Sequence, residues 1–120
     1  LTVVLGRNDG LRPLALKYQQ RAPHRVRVEG WRDDLPHLLA SHHALATKAG
    51  GAITHEALSL GCVPLFFRAV PGQEMGNVEK TLAAEAGFWA RNSDEATRAL
   101  RILQQYDAWQ QTSQRGQALA

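Results

Sequence analysis

The sequence predicts an α/β fold, a parallel sheet covered on both faces by helices. Short apolar runs of strand length alternate with helix-period segments about five times along the chain. The connections between them are short, as in repeated β-α-β units. Two of the runs, Leu1 to Leu5 (interrupted only by the β-branched Thr2) and Val63 to Phe67, are apolar without alternation, as buried strands are.

Taken in order, Leu1 to Leu5 reads as a buried strand ending at Gly6. Leu11 to Gln20 carries Leu11, Leu14, Leu16 and Tyr18 at helical spacing, with Pro13 confined to the first turn. Arg25-Val26-Arg27-Val28-Glu29 alternates strictly, so it reads as a strand with one wet side near a sheet edge. Asp33 or Asp34 caps a helix through Leu35, Leu38 and Leu39. Ala44 to Thr47 is a brief strand, and Gly50-Gly51 opens a helix through Ile53, Ala57, Leu58 and Leu60 that Gly61 stops. After the Val63 to Phe67 strand, a loop from Ala69 to Gly76 leads into a helix with Val78, Leu82 and Ala83. Phe88 to Ala90 is a last strand. Ser93 caps a final helix carrying Ala96, Ala99, Leu100, Leu103 and Tyr106.

A chain of 120 residues, 44% apolar and 21% charged, suffices for one ordinary domain with a real core, and residues 1–120 read as a single domain. No apolar run approaches the roughly 20 residues that span a bilayer. The first residues lack the features of a signal peptide and an initiator methionine, so the chain is expected to start inside a longer protein. Cys62 is the only cysteine, which fits a reducing compartment and reads as a small buried apolar residue. The net charge of +3 is concentrated in Lys17, Arg21, Arg25, Arg27 and Arg32. Such a face suits phosphate or anionic lipid, although a solvated surface is the commoner meaning. Nucleic acid is not expected, because no aromatic residues interleave with these charges.

In a parallel sheet, ligands bind beyond the carboxyl ends of the strands. That points to Gly6 to Gly10, Gly30 to Asp34, Lys48 to Thr54 and Arg68 to Asn77. In Thr47-Lys48-Ala49-Gly50-Gly51-Ala52-Ile53-Thr54-His55-Glu56, two glycines at a strand-to-helix junction let backbone N–H groups approach an anion such as a pyrophosphate. Lys48 adds charge, Thr54 a hydroxyl, and Glu56 a carboxylate able to accept from two ribose hydroxyls. On spacing alone, a tight turn followed by a helix-favouring surface glutamate serves equally well. In Pro71-Gly72-Gln73-Glu74-Met75-Gly76-Asn77, Gln73 and Glu74 suit adjacent sugar hydroxyls and Asn77 a phosphate or ribose. A capped loop is the plainer alternative there.

Neither a dinucleotide nor a P-loop fingerprint is present. His55-Glu56 lacks the second histidine of a zinc-protease helix, and His42, His43 and His55 lack a completing ligand set, so no metal site is expected. Trp31 is a candidate to pack near a base, with core packing as the alternative.

The ordered series from Val28 to Asn77 resembles the C-terminal domain of family 28 glycosyltransferases, most closely the branch that adds galactose or glucose to diacylglycerol. It comprises Thr47-Lys48-Ala49-Gly50-Gly51, Thr54 with Glu56-Ala57-Leu58, Gly61-Cys62-Val63-Pro64, and Pro71-Gly72-Gln73-Glu74 with Gly76-Asn77. Leu5-Gly6-Arg7-Asn8 is similar to the first strand and loop of that domain. The resemblance implies the C-terminal half of a GT-B fold, in which this Rossmann-like domain holds a UDP-sugar donor. It also implies inverting transfer of galactose, glucose or N-acetylglucosamine to a lipid or other hydroxyl acceptor, without metal or cofactor.

Carried over by position, Gly50, Gly51 and Thr54 would hold the diphosphate and Glu56 the ribose, with Lys48 among the donor-binding residues. Gln73 and Glu74 would contact the transferred sugar, with Asn77 close by. The backbone from Gly30 to Arg32, beside Trp31, would face the uracil, and Arg7 and Asn8 would line the cleft. The general base would belong to an N-terminal acceptor domain outside this chain. A cytoplasmic protein, in peripheral contact with the inner face of the membrane, follows from the same branch. Two other readings stay open: half of a nucleotide-sugar epimerase, which shares the architecture, and a non-catalytic module that binds a sugar nucleotide.

Overall fold

The structure is a computed structural model that describes residues 1–120. Every strand pairing in it is parallel, and helices follow the strands, so the chain has the expected α/β architecture. The backbone forms two compact units, Leu1–Leu35 and Pro36–Ala120.

In the first unit, β1 (Thr2–Val4) pairs with β2 (Arg27–Glu29), Val3 opposite Val28. A short 3-10 turn (Asp9–Leu11) and helix α1 (Arg12–Arg21) connect them. Pro13 falls in the first turn of α1, where its missing N–H costs nothing. β2 is shorter than its alternating pattern, but the Leu1 nitrogen donates to the Arg25 carbonyl at 2.6 Å and the Arg27 N–H to the Leu1 carbonyl at 2.8 Å, which prolongs the pairing. β1 is less buried than expected from its run of apolar residues: Val3 is half-buried and Val4 is 38% exposed. Within this unit α1 packs on the two-stranded sheet through β2. Much of the basic stretch is satisfied locally. Arg32 binds Glu29 and reaches Asp34 at 2.6 Å, Arg27 lies 3.7 Å from Glu29, and Arg21 stacks over Tyr18.

In the second unit, α2 (its six residues run Leu35–Ala40) turns Leu38 and Leu39 inward. Strands β3 (Ala44–Lys48), β4 (Val63–Arg68) and β5 (Phe88–Trp89) lie in that order. Helix α3 (Gly51–Ser59) connects β3 to β4, and α4 (Gln73–Ala83) connects β4 to β5. Strand β4 is central and buried on both faces from Val63 to Phe66, which is why its sequence does not alternate. Phe66 packs with Ala49, Val78 of α4, Met75 and Trp89. Its neighbour Leu65 points the other way, onto Ala90, Phe88, and Ala96 and Ala99 of α5 (Ser93–Leu103). Helices therefore cover both faces.

Three boundaries differ from expectation. Helix α4 begins at Gln73, so Gln73, Glu74 and Asn77 belong to its first turns rather than to a loop. Helix α5 is capped by Asn92, whose Oδ1 accepts from the Glu95 N–H at 2.9 Å, and not by Ser93. The final helix is two helices: Gln105 is extended, and α6 (Tyr106–Leu119) starts afresh. Leu100, Leu103 and Tyr106 keep a three-residue rhythm across the break, and no glycine or proline marks it. Helix α6 packs on α3 through Gly116 and Leu58, and Ser113 Oγ donates to the Gly61 carbonyl at 2.7 Å. Gly61 (φ +76°) ends α3 as expected, in the left-handed conformation. Cys62 is buried, and burial pushes its thiol up to about 11.

Candidate functional site

Adjacent parallel strands deliver their C-terminal junctions to the same edge of the sheet. β3 pairs with β4 along its whole length, with Lys48 opposite Arg68. The start of α3 and the start of α4 therefore become neighbours, and the two glycine-rich segments form one site in the second unit. Asn77 Nδ2 donates to the Ala49 carbonyl at 3.0 Å, 28 residues away in sequence. Lys48 Nζ lies 3.6 Å from Glu74 Oε2. The other carboxylate oxygen of Glu74 accepts from the Val70 N–H at 3.1 Å. Sequence reasoning named Lys48, Glu74 and Asn77 but missed the pairing of Lys48 with Glu74. Its signal was present: opposite charges at the end of one strand and at the start of the helix that follows the next.

Both helices begin at a glycine N-cap, Gly50 for α3 and Gly72 for α4, and neither start has a side-chain cap. The first N–H groups of a helix have no partner within it, and the helix dipole puts a positive partial charge there. The junction is thus an anion-attracting edge with one exposed ammonium, Lys48, and one half-buried carboxylate, Glu74.

The glycines divide by what the free chain requires of them. Gly72 has φ +99°, which an L side chain rarely adopts. Gly50 has φ −64°, and a Cβ there would meet Ile53 Cγ2 at an ordinary 3.5 Å. A Cβ on Gly51 would come no closer than 4.0 Å to Asn77 Nδ2, and one on Gly76 would meet nothing within 4 Å. Neither backbone conformation nor packing calls for glycine at 50, 51 or 76.

Thr54, in the first turns of α3, is 5% exposed, and its hydroxyl has no hydrogen-bond partner. An unmade bond of that kind costs about 1–3 kcal/mol. Glu56 follows on the second turn, half-buried, and Gln73 is exposed at the first position of α4.

The remaining expected residues belong to the first unit. Arg7 follows β1 and Trp31 follows β2. The guanidinium lies over the indole, 4.5 Å from the ring centroid, and Trp31 is 64% exposed rather than packed in a core. Asn8 belongs to the turn after β1, where its N–H donates to the Leu5 carbonyl and its own carbonyl accepts from Leu11. The histidines are dispersed: His42 Nδ1 is 2.8 Å from the Leu38 carbonyl, the His43 ring packs edge-on to Trp109, and His55 is exposed on α3. No helix is long and apolar enough to cross a membrane.

No protein-family model matches the chain. It is similar to individual curated proteins. It is 32% identical over 77 residues to the processive diacylglycerol beta-glucosyltransferase of Bacillus cytotoxicus, covering 64% of this chain and 20% of that protein. Over 98 residues, 82% of this chain, it is 30% identical to the probable monogalactosyldiacylglycerol synthase 2, chloroplastic, of Oryza sativa subsp. indica, covering 20% of that protein. It is also 30% identical over 98 residues to monogalactosyldiacylglycerol synthase 3, chloroplastic, of Arabidopsis thaliana, 21% of which is covered. The chain therefore spans about a fifth of the length of these relatives, and the part matched is C-terminal.

Proposed function

The chain belongs to the family 28 glycosyltransferases, as a match to the C-terminal part of their diacylglycerol branch, and from that premise we propose that it is a domain that binds a UDP-sugar donor. The observation that carries the reading is the pair of glycines at the start of α3. A Cβ at Gly50 or Gly51 would meet no clash in the free chain, yet the glycines keep the first turn of α3 bare beside Asn77 and Lys48. A ligand that must approach that backbone closely accounts for them, and an anion is what the uncapped N–H groups attract.

In this reading the N–H groups around Gly50 and Gly51 take the diphosphate, and the Thr54 hydroxyl, unpartnered in the free chain, turns to it as a donor. Glu56, farther along α3, accepts from the ribose hydroxyls. Gln73 and Glu74, at the start of α4, take the hexose. Transfer of that hexose builds negative charge on the departing diphosphate. Fixed N–H dipoles lower that barrier with no reorganisation at the moment of bond breaking. The full-length reaction we propose is inverting transfer of glucose, galactose or N-acetylglucosamine to a hydroxyl of a lipid acceptor.

Titration of the chain with UDP, UDP-glucose, UDP-galactose and UDP-N-acetylglucosamine tests this. Glu56→Ala should weaken UDP binding about tenfold to a hundredfold, the usual worth of hydrogen bonds to a charged group. His43→Ala, which alters the opposite end of β3, should bind as the parent does. Absence of binding by any of the four nucleotides rules the reading out.

A further inference from the structure

Lys48 and Glu74 come from different β-α junctions, and only the fold brings them together. Glu74 holds one carboxylate oxygen on the Val70 N–H at 3.1 Å and presents the other to Lys48 Nζ at 3.6 Å. Its side chain is 22% exposed while that of Lys48 is 60% exposed. As a stabilising ion pair so open a contact is worth little, because water screens it and the lysine must be immobilised. Its geometric effect is larger. An ionised carboxylate has about four acceptor positions. With one contact on each oxygen, the group is fixed in orientation and keeps a free lone pair on each oxygen. A carboxylate in that state can accept from two neighbouring hydroxyls, the pattern a pyranose ring offers.

We infer that Lys48 is a positioning residue for the hexose end of the donor: its ammonium orients Glu74 toward the sugar hydroxyls rather than serving chiefly as a charge for the diphosphate. The inference rests on the donor-binding reading and refines one residue within it. The two assignments of Lys48 predict different ligands to suffer. A diphosphate contact is present in UDP and in UDP-hexose alike, so its loss weakens both by the same factor. A positioning role acts only where a hexose is present.

The experiment is calorimetric titration of the 120-residue chain and its variants with UDP and with UDP-glucose and UDP-galactose. In Lys48→Met, the Kd for the better-bound UDP-hexose should rise about twofold to fivefold more than the Kd for UDP, the range an exposed ion pair can supply. Lys48→Arg, which keeps a cation at the same reach, should recover most of that difference. Placed on Glu74→Ala, Lys48→Met should add no further loss specific to the hexose, as expected for two residues acting as one unit. Equal losses for UDP and UDP-hexose in Lys48→Met overturn the inference and return Lys48 to the diphosphate. So does a hexose-specific loss that persists undiminished on Glu74→Ala. Failure of the unaltered chain to bind UDP at all is a different result, and it removes the donor-binding reading itself.

Discussion

At the scale of single residues, glycine separates what the fold needs from what the site needs. Gly87 is a fold requirement: a Cβ there would lie 2.8 Å from the Pro64 carbonyl oxygen and 2.8 Å from Thr81 Cγ2. The first neighbour is backbone on the central strand and cannot swing away. Gly87→Ala should therefore destabilise the chain by about 1–3 kcal/mol, as overpacking does, measured by denaturant unfolding. Gly76 is the opposite case. It lies within α4 with open space around its Cα, where glycine costs roughly 1 kcal/mol against alanine. Gly76→Ala should raise the unfolding midpoint and, since position 76 lies one helical turn after Gln73 in α4, weaken UDP-hexose binding if the sugar occupies that face. A variant that is stabilised and binds the donor as before would place the sugar away from this face of α4.

At the scale of elements, α5 shows how a start is built when only stability is at stake. Asn92 caps it, and the Glu95 carboxylate accepts from the Arg91 N–H at 2.9 Å and from the Arg91 guanidinium. Asn92→Ala should cost about 1 kcal/mol. The bonds from Arg91 hold the Glu95 carboxyl below the usual carboxylate range. A folded-state pKa lowered in this way stabilises fully above the unfolded carboxyl value, and the effect disappears as pH falls through the folded one. The difference in stability between the parent and Glu95→Gln should thus be present at neutral pH and vanish in acid; a difference that persists in acid would mean the carboxylate is not its source. The same helix marks where the sequence was legible. Strand and helix order could be read from apolar period and glycine punctuation, because β4 is buried on both faces and Gly61 needs a positive φ. The cap at Asn92 was legible in principle through Glu95 three residues later, the partner that Ser93 lacks. The break before α6 was not, since the apolar rhythm runs through it. Nor was the true start of α4, because the glycines that suggested a loop are accommodated at its N-cap and inside its second turn. For the candidate site, the two glycine-rich segments were readable from motif order, whereas the Lys48–Glu74 and Asn77–Ala49 contacts depend on β3 and β4 being paired neighbours, with an irregularity between Thr47 and Lys48 at the junction.

At the scale of the whole molecule, the second unit (Pro36–Ala120) contains both glycine-rich junctions, so a donor bound there should stabilise that unit by mass action. At a hundredfold excess over Kd the gain is about 2.7 kcal/mol, enough to raise its unfolding midpoint by several degrees. Catalysis asks for more than binding. Inverting transfer needs a base that reaches the acceptor hydroxyl and a wall that holds the acceptor in line with the departing diphosphate. The two carboxylates at the junctions, Glu56 and Glu74, are taken by ribose and hexose hydroxyls in the proposed arrangement, and neither is left to accept the acceptor's proton. The chain also corresponds to only about a fifth of the length of the relatives it matches. The 120-residue chain by itself should accordingly bind UDP-hexose and leave diacylglycerol unmodified. Incubation with UDP-glucose or UDP-galactose and diacylglycerol-containing vesicles, followed by mass spectrometry of the lipids, measures this directly. Glycosylated lipid above the level given by the Glu56→Ala variant would show that the base lies within these residues, and it would direct the search to Glu74 first, since that carboxylate stands at the hexose end of the proposed donor site.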